Sequence, residues 1–252
     1  MRITTYCLLL LLFVATNACR KKEDNNAVPI ASGGPYCLMT AIIEDHNTCS
    51  DSTTLVLNGG KLTTAVFHSD CTGQQTSAAQ SFIYEAGRVY HIDTTTLQDR
   101  DTFFVDSNLR ILEYHPSKGQ PEPLVKYFYT TQGVLETSVE YYGGNAVDTT
   151  RYVFSNGDLI EWHNSRYDTR YTYYDTLPVP GSGLLTQQAL SYGSVGFLKS
   201  RHLVKEFIQN NTLACSFAYE FDGYGNVSRK RMTIPITATV YTTRYKYACM
   251  IE

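Results

Sequence analysis

The stretch Tyr219-Glu220-Phe221-Asp222-Gly223-Tyr224-Gly225-Asn226-Val227 sets the plan of the chain. Aromatic residues alternate with polar ones, a glycine-rich turn follows, and an aliphatic residue opens the return strand. Side chains of a strand point alternately to its two faces, and turn glycines take positive φ without steric cost, so the unit predicts a β-hairpin with one buried face. Looser copies precede it. Residues 55–57 turn at Asn58-Gly59-Gly60 into 62–67, residues 82–84 at Ala86-Gly87 into 89–92, and residues 103–105 at Ser107-Asn108 into 109–114. Residues 127–129 turn at Gln132-Gly133 into 134–142, and 152–154 at Asn156-Gly157 into 159–162. Asn-Gly is the strongest of these hairpin signals. Gly60, Gly87, Asn108, Gly133 and Gly157 recur at spacings of 21 to 27 residues, the period of an array of supersecondary units. The expected fold is all-β, an antiparallel meander of repeated hairpins forming a curved sheet or barrel-like domain.

The rhythm breaks near 176–202, where Pro178, Pro180, Gly181 and Gly183 mark an irregular insertion. Residues 184–190 have the composition of a short helix, and 198–208 read as loop followed by strand. Long loops on a regular scaffold are where binding residues concentrate. The 43% hydrophobic content suffices for a sizeable core, and a net charge of −3 with scattered basic residues excludes a nucleic-acid partner. Twenty tyrosines against one tryptophan, Trp162, are the strongest bias. Tyrosine suits strands first and interfaces second.

Residues 1–18 read as an export signal: Arg2 supplies the positive end and 8–14 a continuous apolar run. That run is short of the roughly 20 residues that span a bilayer. The segment ends Ala15-Thr16-Asn17-Ala18-Cys19, which resembles the lipobox of bacterial lipoproteins, with Thr16 where leucine is commonest. The resemblance implies cleavage before Cys19 and acylation of Cys19, making the membrane a partner through an N-terminal lipid. Residues 19–35 are polar and read as a tether, leaving 36–252 as a single β-repeat domain. Lys22-Glu23-Asp24 after the cysteine resembles the surface-export signal of Bacteroidota lipoproteins. The implied location is the outer membrane, at the cell surface or, in the alternative, on its periplasmic face.

Beyond Cys7 and Cys19, five cysteines remain: Cys37, Cys49, Cys71, Cys215 and Cys249. Exported chains meet an oxidising compartment, and no CxxC pair invites zinc. Cys49 and Cys71 bracket a hairpin and are the preferred bridge. Cys37 opens the first strand and Cys249 closes the last, so a bridge joining the ends of the sheet is a second candidate. Five is odd, which leaves at least one thiol free or paired between chains.

The Tyr-x-Phe-Asp-x-x-Gly-x-Val form at 219–227 resembles the YD repeat of wall-associated and Rhs-type proteins. The layout as a whole resembles uncharacterised Bacteroidota lipoproteins with a YD-repeat-like, porin-like β domain, a family to which no activity is attached. Asp51-Ser52-Thr53, Asp93-Thr94-Thr95, Asp148-Thr149-Thr150 and Asp175-Thr176-Leu177 match the O-glycosylation sequon of that group. The resemblance thus makes Ser52, Thr94, Thr149 and Thr176 candidate acceptors in loops. A membrane-spanning barrel is not expected, because the strands read as shorter than the required ten or so residues and Arg151, Glu161 and Arg170 interrupt them.

No catalytic constellation emerges. The histidines His46, His68, His91, His115, His163 and His202 lack ligand spacing and read as surface or strand-edge residues. Gly193-Ser194-Val195-Gly196 is not a nucleophile elbow. Asp99, Asp101, Glu136 and Glu140 are carboxylates that any strand protein supplies, and Asp222 reads as a turn former rather than a calcium ligand. No cofactor or metal is expected. The sequence favours non-enzymatic binding of a glycan or an outer-membrane protein, with Trp162, Tyr192 and His202 as candidate binding residues. The alternatives are an accessory subunit of an outer-membrane complex and, behind it, a hydrolase.

Overall fold

The computed structural model describes residues 36–45, 49–58, 61–70, 76–94, 100–116, 124–178 and 200–250. Sixteen strands follow one another: β1 (Tyr36–Asp45), β2 (Ser50–Asn58), β3 (Lys61–Ser69), β4 (Thr76–Glu85), β5 (Arg88–Asp93), β6 (Arg100–Val105), β7 (Ile111–His115) and β8 (Leu124–Tyr129) form the first half. The second half comprises β9 (Leu135–Tyr142), β10 (Asn145–Ser155), β11 (Asp158–His163), β12 (Asp168–Pro178), β13 (His202–Gln209), β14 (Thr212–Phe221), β15 (Val227–Ile234) and β16 (Thr239–Met250). Each strand pairs antiparallel with its neighbours in sequence, and β16 pairs with β1 from Tyr36↔Met250 to Asp45↔Thr242. The meander is therefore a closed barrel. Closure removes the free edges on which an open sheet aggregates.

The even-to-odd hairpins, from β2–β3 to β14–β15, share one rim with the start of β1 and the end of β16. Three of their turns are the same five-residue device. Asp106 accepts the N–H groups of Asn108 and Arg110, and Asp222 those of Tyr224 and Asn226. Thr130 accepts that of Val134 through its hydroxyl. The fourth position of each lies in the left-handed region, with φ of 59° at Leu109, 78° at Gly133 and 81° at Gly225. Asp222 is thus the turn former that the sequence implied.

Several strands are longer than expected: β1, β4 and β14 have 10 residues, β10 and β12 have 11, and β16 has 12. Polar stretches such as Thr76-Ser77-Ala78 and Thr149-Thr150 show no aromatic alternation, yet their partners still supply ladder hydrogen bonds. For the same reason Ser52, Thr149 and Thr176 stand within β2, β10 and β12 rather than in loops, and only Thr94 sits in a turn. The insertion shrinks to residues 179–201, because β12 continues through Pro178. Most of it, with the segment 184–190, lies outside the described residues.

Cys37 and Cys249, opposite each other across β1 and β16, form a disulfide with an S–S distance of 2.04 Å. The bridge across the sheet ends, second choice from spacing, is the one the pairing register creates. Cys49 is also disulfide-bonded, and Cys71 lies outside the described residues. Cys215 is buried and is not part of a disulfide.

Candidate functional site

Alternation along the strands divides the wall into an inner and an outer face. Each odd strand contributes one fully enclosed aliphatic residue beside the tight-turn rim: Met39, Leu62, Val89, Ile111, Leu135, Leu159, Leu203 and Val227, all 0–2% exposed. A water-filled passage at this level would leave that ring accessible, so the barrel is sealed there. Bulges interrupt the ladder opposite Leu62, Ile111, Leu159, Val204 and Val227. At each, a tyrosine of the following even strand donates its hydroxyl to that residue's carbonyl: Tyr84, Tyr129, Tyr173, Tyr219 and Tyr247 respectively. Burial pushes the phenols of Tyr129, Tyr173, Tyr219 and Tyr247 well above their ordinary range.

Above the ring the inner face becomes aromatic and then polar. Phe103 stacks on Tyr114 with centroids 4.9 Å apart, and Tyr152 shares a 3.0 Å hydrogen bond with Ser138, burial raising its phenol to about 12. Asp101 meets the His91 Nδ1 and accepts from the Tyr114 hydroxyl, each at 3.3 Å, while His91 stacks on Phe82. His91 is thus an interior residue and not an edge one: its cross-strand partner, Phe82, belongs to the buried face. Its Nε2, the Gln80 Oε1, the Thr169 Oγ1 and the Gln209 Nε2 are buried without a protein partner. On the seam side, burial works against the charge on Lys230, but Tyr245 and Glu44 more than offset it and raise its pKa. This polar layer lies toward the rim opposite the tight turns. No group of three or more metal-ligating side chains occurs among the described residues.

The candidates named from sequence are scattered. Trp162 is 8% exposed, and its indole N–H donates to the Tyr171 hydroxyl at 3.0 Å, so its ring faces the core rather than solvent. Tyr192 lies outside the described residues. His202 stands where the chain returns from the insertion: its Nδ1 is 2.7 Å from Asp158 Oδ2, and Asp158 Oδ1 accepts the backbone N–H of Arg201 and of His202. Ser200 lies beside them, its hydroxyl 3.1 Å from that of Tyr173. The set has the composition of a hydrolase triad. Ser200, however, is only 6% exposed, and Asp158 spends one oxygen tying down backbone. The arrangement ties residues 200–202 to the β10–β11 turn, where Gly157 leaves room for the Arg201 side chain. Asp158 was missed from sequence because an acid just after Asn-Gly reads as an ordinary turn residue.

The outer face carries charge both within the strands and at their ends. Lys126 pairs with Glu113 at 3.3 Å, Arg170 with Asp168 at 3.3 Å and Glu161 at 3.9 Å, and Arg229 with Glu220 at 2.7 Å. Arg244 grips Asp45 through two bonds of 2.7 and 2.8 Å. His115 and His163 lie beside Glu113 and Glu161. Each arginine or lysine facing lipid at the bilayer midplane would cost about 2–4 kcal/mol. Ion-paired charge on the face that also carries Phe128 and Val153 breaks the continuous lipid-facing apolar band that a membrane-spanning barrel needs. The expectation of short strands fails, but the charges that argued against spanning do face outward.

Two solved structures share the architecture. A porin-like protein from Bacteroides uniformis superimposes with a TM-score of 0.68 at 12% identity, covering 85% of this chain and 98% of that one. A porin-like protein from Bacteroides vulgatus gives 0.55 at 15% identity, covering 84% and 98%. At such identities the likeness is one of fold. No protein-family model and no curated protein matches the chain.

Proposed function

We propose that the chain is an exported, lipid-anchored barrel of the cell envelope that binds a glycan or a partner protein and carries out no chemistry. The observation that carries this reading is the polarity of the barrel: a sealed apolar ring inside and ion-paired charges outside. Such a barrel stands in water. It offers its polar inner layer, its loops and its wall for recognition, and its sealed level conducts nothing. The signal and Cys19 supply the route and the anchor, and the Cys37–Cys249 bridge fits an oxidising compartment. The porin-like neighbours agree with an envelope role.

Metabolic labelling with a palmitate analogue is expected to mark the wild-type chain and to miss Cys19→Ala, which should leave the membrane fraction without detergent. Crosslinking of intact cells and capture through a C-terminal tag then reads the partner. Recovery of an outer-membrane transporter would make the barrel an accessory subunit; recovery of lipid alone would direct the search to glycans. A Cys19→Ala chain that stays in the membrane and needs detergent would sink the water-standing reading.

A further inference from the structure

The tight-turn rim carries a girdle on its outer face. Val56, Ile83, Phe128 and Val153 are 48%, 44%, 45% and 39% exposed, each one or two residues before the end of an even strand. All four point outward, because the inward neighbours Leu55, Phe82, Tyr127 and Tyr152 belong to the interior. Leu112, 41% exposed, and Phe221, 39% exposed, extend the girdle at the β6–β7 and β14–β15 hairpins. Arg88 stands among these residues, 5.1 Å from the Phe104 ring, while Lys61 and the Asp106-paired Arg110 reach over the inner-face rings of Tyr84 and Tyr129 at 5.2 and 5.3 Å. Aliphatic, aromatic and long basic side chains at one level are the composition that settles at the boundary between headgroups and acyl chains. Among the described residues, the exposed apolar side chains of the opposite rim lie at three connections, at Tyr142 and Val147, at Leu213, and at Ile236 and Val240.

The position of the chain terminus decides the occupant. Tyr36, the first residue of the barrel, lies at the tight-turn rim, and Cys19 is 17 residues before it. Seventeen residues span at most about 60 Å when fully extended, so an acylated Cys19 keeps this rim within reach of the bilayer. We infer that one arc of this rim, the five successive hairpins from β2–β3 to β10–β11, docks on the lipid surface, dipping its girdle into the interface and turning the polar layer and the opposite loops outward. This rests on the anchor proposed above, and the test keeps the two apart.

A Cys19→Ser chain, with a histidine tag in place of residues 1–18, is recruited to vesicles of phosphatidylethanolamine and phosphatidylglycerol carrying a nickel-chelating lipid, and amide exchange is compared with that of the free protein. Recruitment then does not depend on acylation, which palmitate labelling reads separately. Amides of 84–89 and 153–159 are expected to slow about threefold or more on vesicles, and those of 142–145 and 209–212 to stay unchanged. The triple variant Ile83→Ser, Phe128→Ser, Val153→Ser should remain vesicle-bound and folded by circular dichroism but lose the slowing, whereas Val147→Ser with Val240→Ser should keep it. Equal exchange at the two rims on tethered vesicles, or slowing confined to 142–145 and 209–212, overturns the proposal.

Discussion

Replacing Cys37 and Cys249 together with alanine removes the covalent tie across the β1–β16 seam. The bridge joins residues separated by 212 positions, so the unfolded chain it constrains is nearly the whole barrel. In the chain-entropy account, closing a loop of this length lowers the entropy of the unfolded state enough to contribute about 5 kcal/mol. The native state loses little in exchange. The seam retains its ladder from Leu38↔Ala248 to Asp45↔Thr242, and alanine leaves no unpaired polar group in place of the half-cystine at position 37, which is 2% exposed. Urea unfolding followed by the fluorescence of Trp162, the single tryptophan, should show a midpoint shift worth about 3–5 kcal/mol. The slope should rise modestly, because the uncrosslinked unfolded chain exposes more surface. The melting temperature should fall by about 6–20 °C. Carrying the substitutions under non-reducing conditions leaves the Cys49 bridge intact and isolates the seam. A loss below about 1 kcal/mol would refute the reasoning, since it would mean that the bridge does not restrain the unfolded chain end to end.

Two further outcomes follow from the bulge-capping tyrosines. The phenols of Tyr129, Tyr173, Tyr219 and Tyr247 have raised pKa values in the folded state, so the stability they contribute is fully present below the unfolded value near 10 and is lost as pH rises above it. Absorbance titration at alkaline pH should show a reversible fraction from exposed tyrosines and a late fraction that ionises only as circular dichroism collapses; a single phase near pH 10 would contradict the burial. Tyr129→Phe should cost about 1–3 kcal/mol in urea unfolding, the penalty of leaving the Ile111 carbonyl unpaired beside its bulge. A neutral substitution would mean that water reaches that carbonyl.

The hairpins were legible because turn chemistry and alternation are local: Asn156-Gly157 and Asp222–Gly225 stand where the sequence puts them, with φ of 52° and 85° at the first pair. Closure was not legible. It depends on β16 meeting β1, and no local pattern distinguishes an edge strand from a seam strand. The same non-local pairing selects Cys37–Cys249. The interior polar layer was hidden for a related reason: His91 and Asp101 lie on a period-2 face whose inward sense is set by the register of Phe82 and Phe103. Trp162 misled because an aromatic residue in a strand looks alike whether it faces solvent or the lumen, and burial decides what it can bind.

The tyrosine bias acquires a cause from this geometry. A round barrel of 16 strands is wide enough to leave an aqueous channel, and aliphatic side chains alone do not reach far enough inward to fill one. Bulges near the tight turns bend the wall and break the ladder opposite Leu62, Ile111, Leu159, Val204 and Val227. On the other side, the ladder to the following strand stops short of each of these residues, leaving a carbonyl in need of a donor on a face that must also be filled with apolar volume. Tyrosine meets both needs, since its ring supplies the bulk and its hydroxyl reaches the carbonyl of the neighbouring strand. Phenylalanine would fill the space and leave the carbonyl unpaired; serine would reach no carbonyl one strand away. The aromatic residue before each turn and the aliphatic residue after it, the features that define the repeat in the sequence, are therefore the two halves of one device that seals the barrel. Sealing at this level is what separates the interior from the open channel that a round 16-strand outline would otherwise enclose.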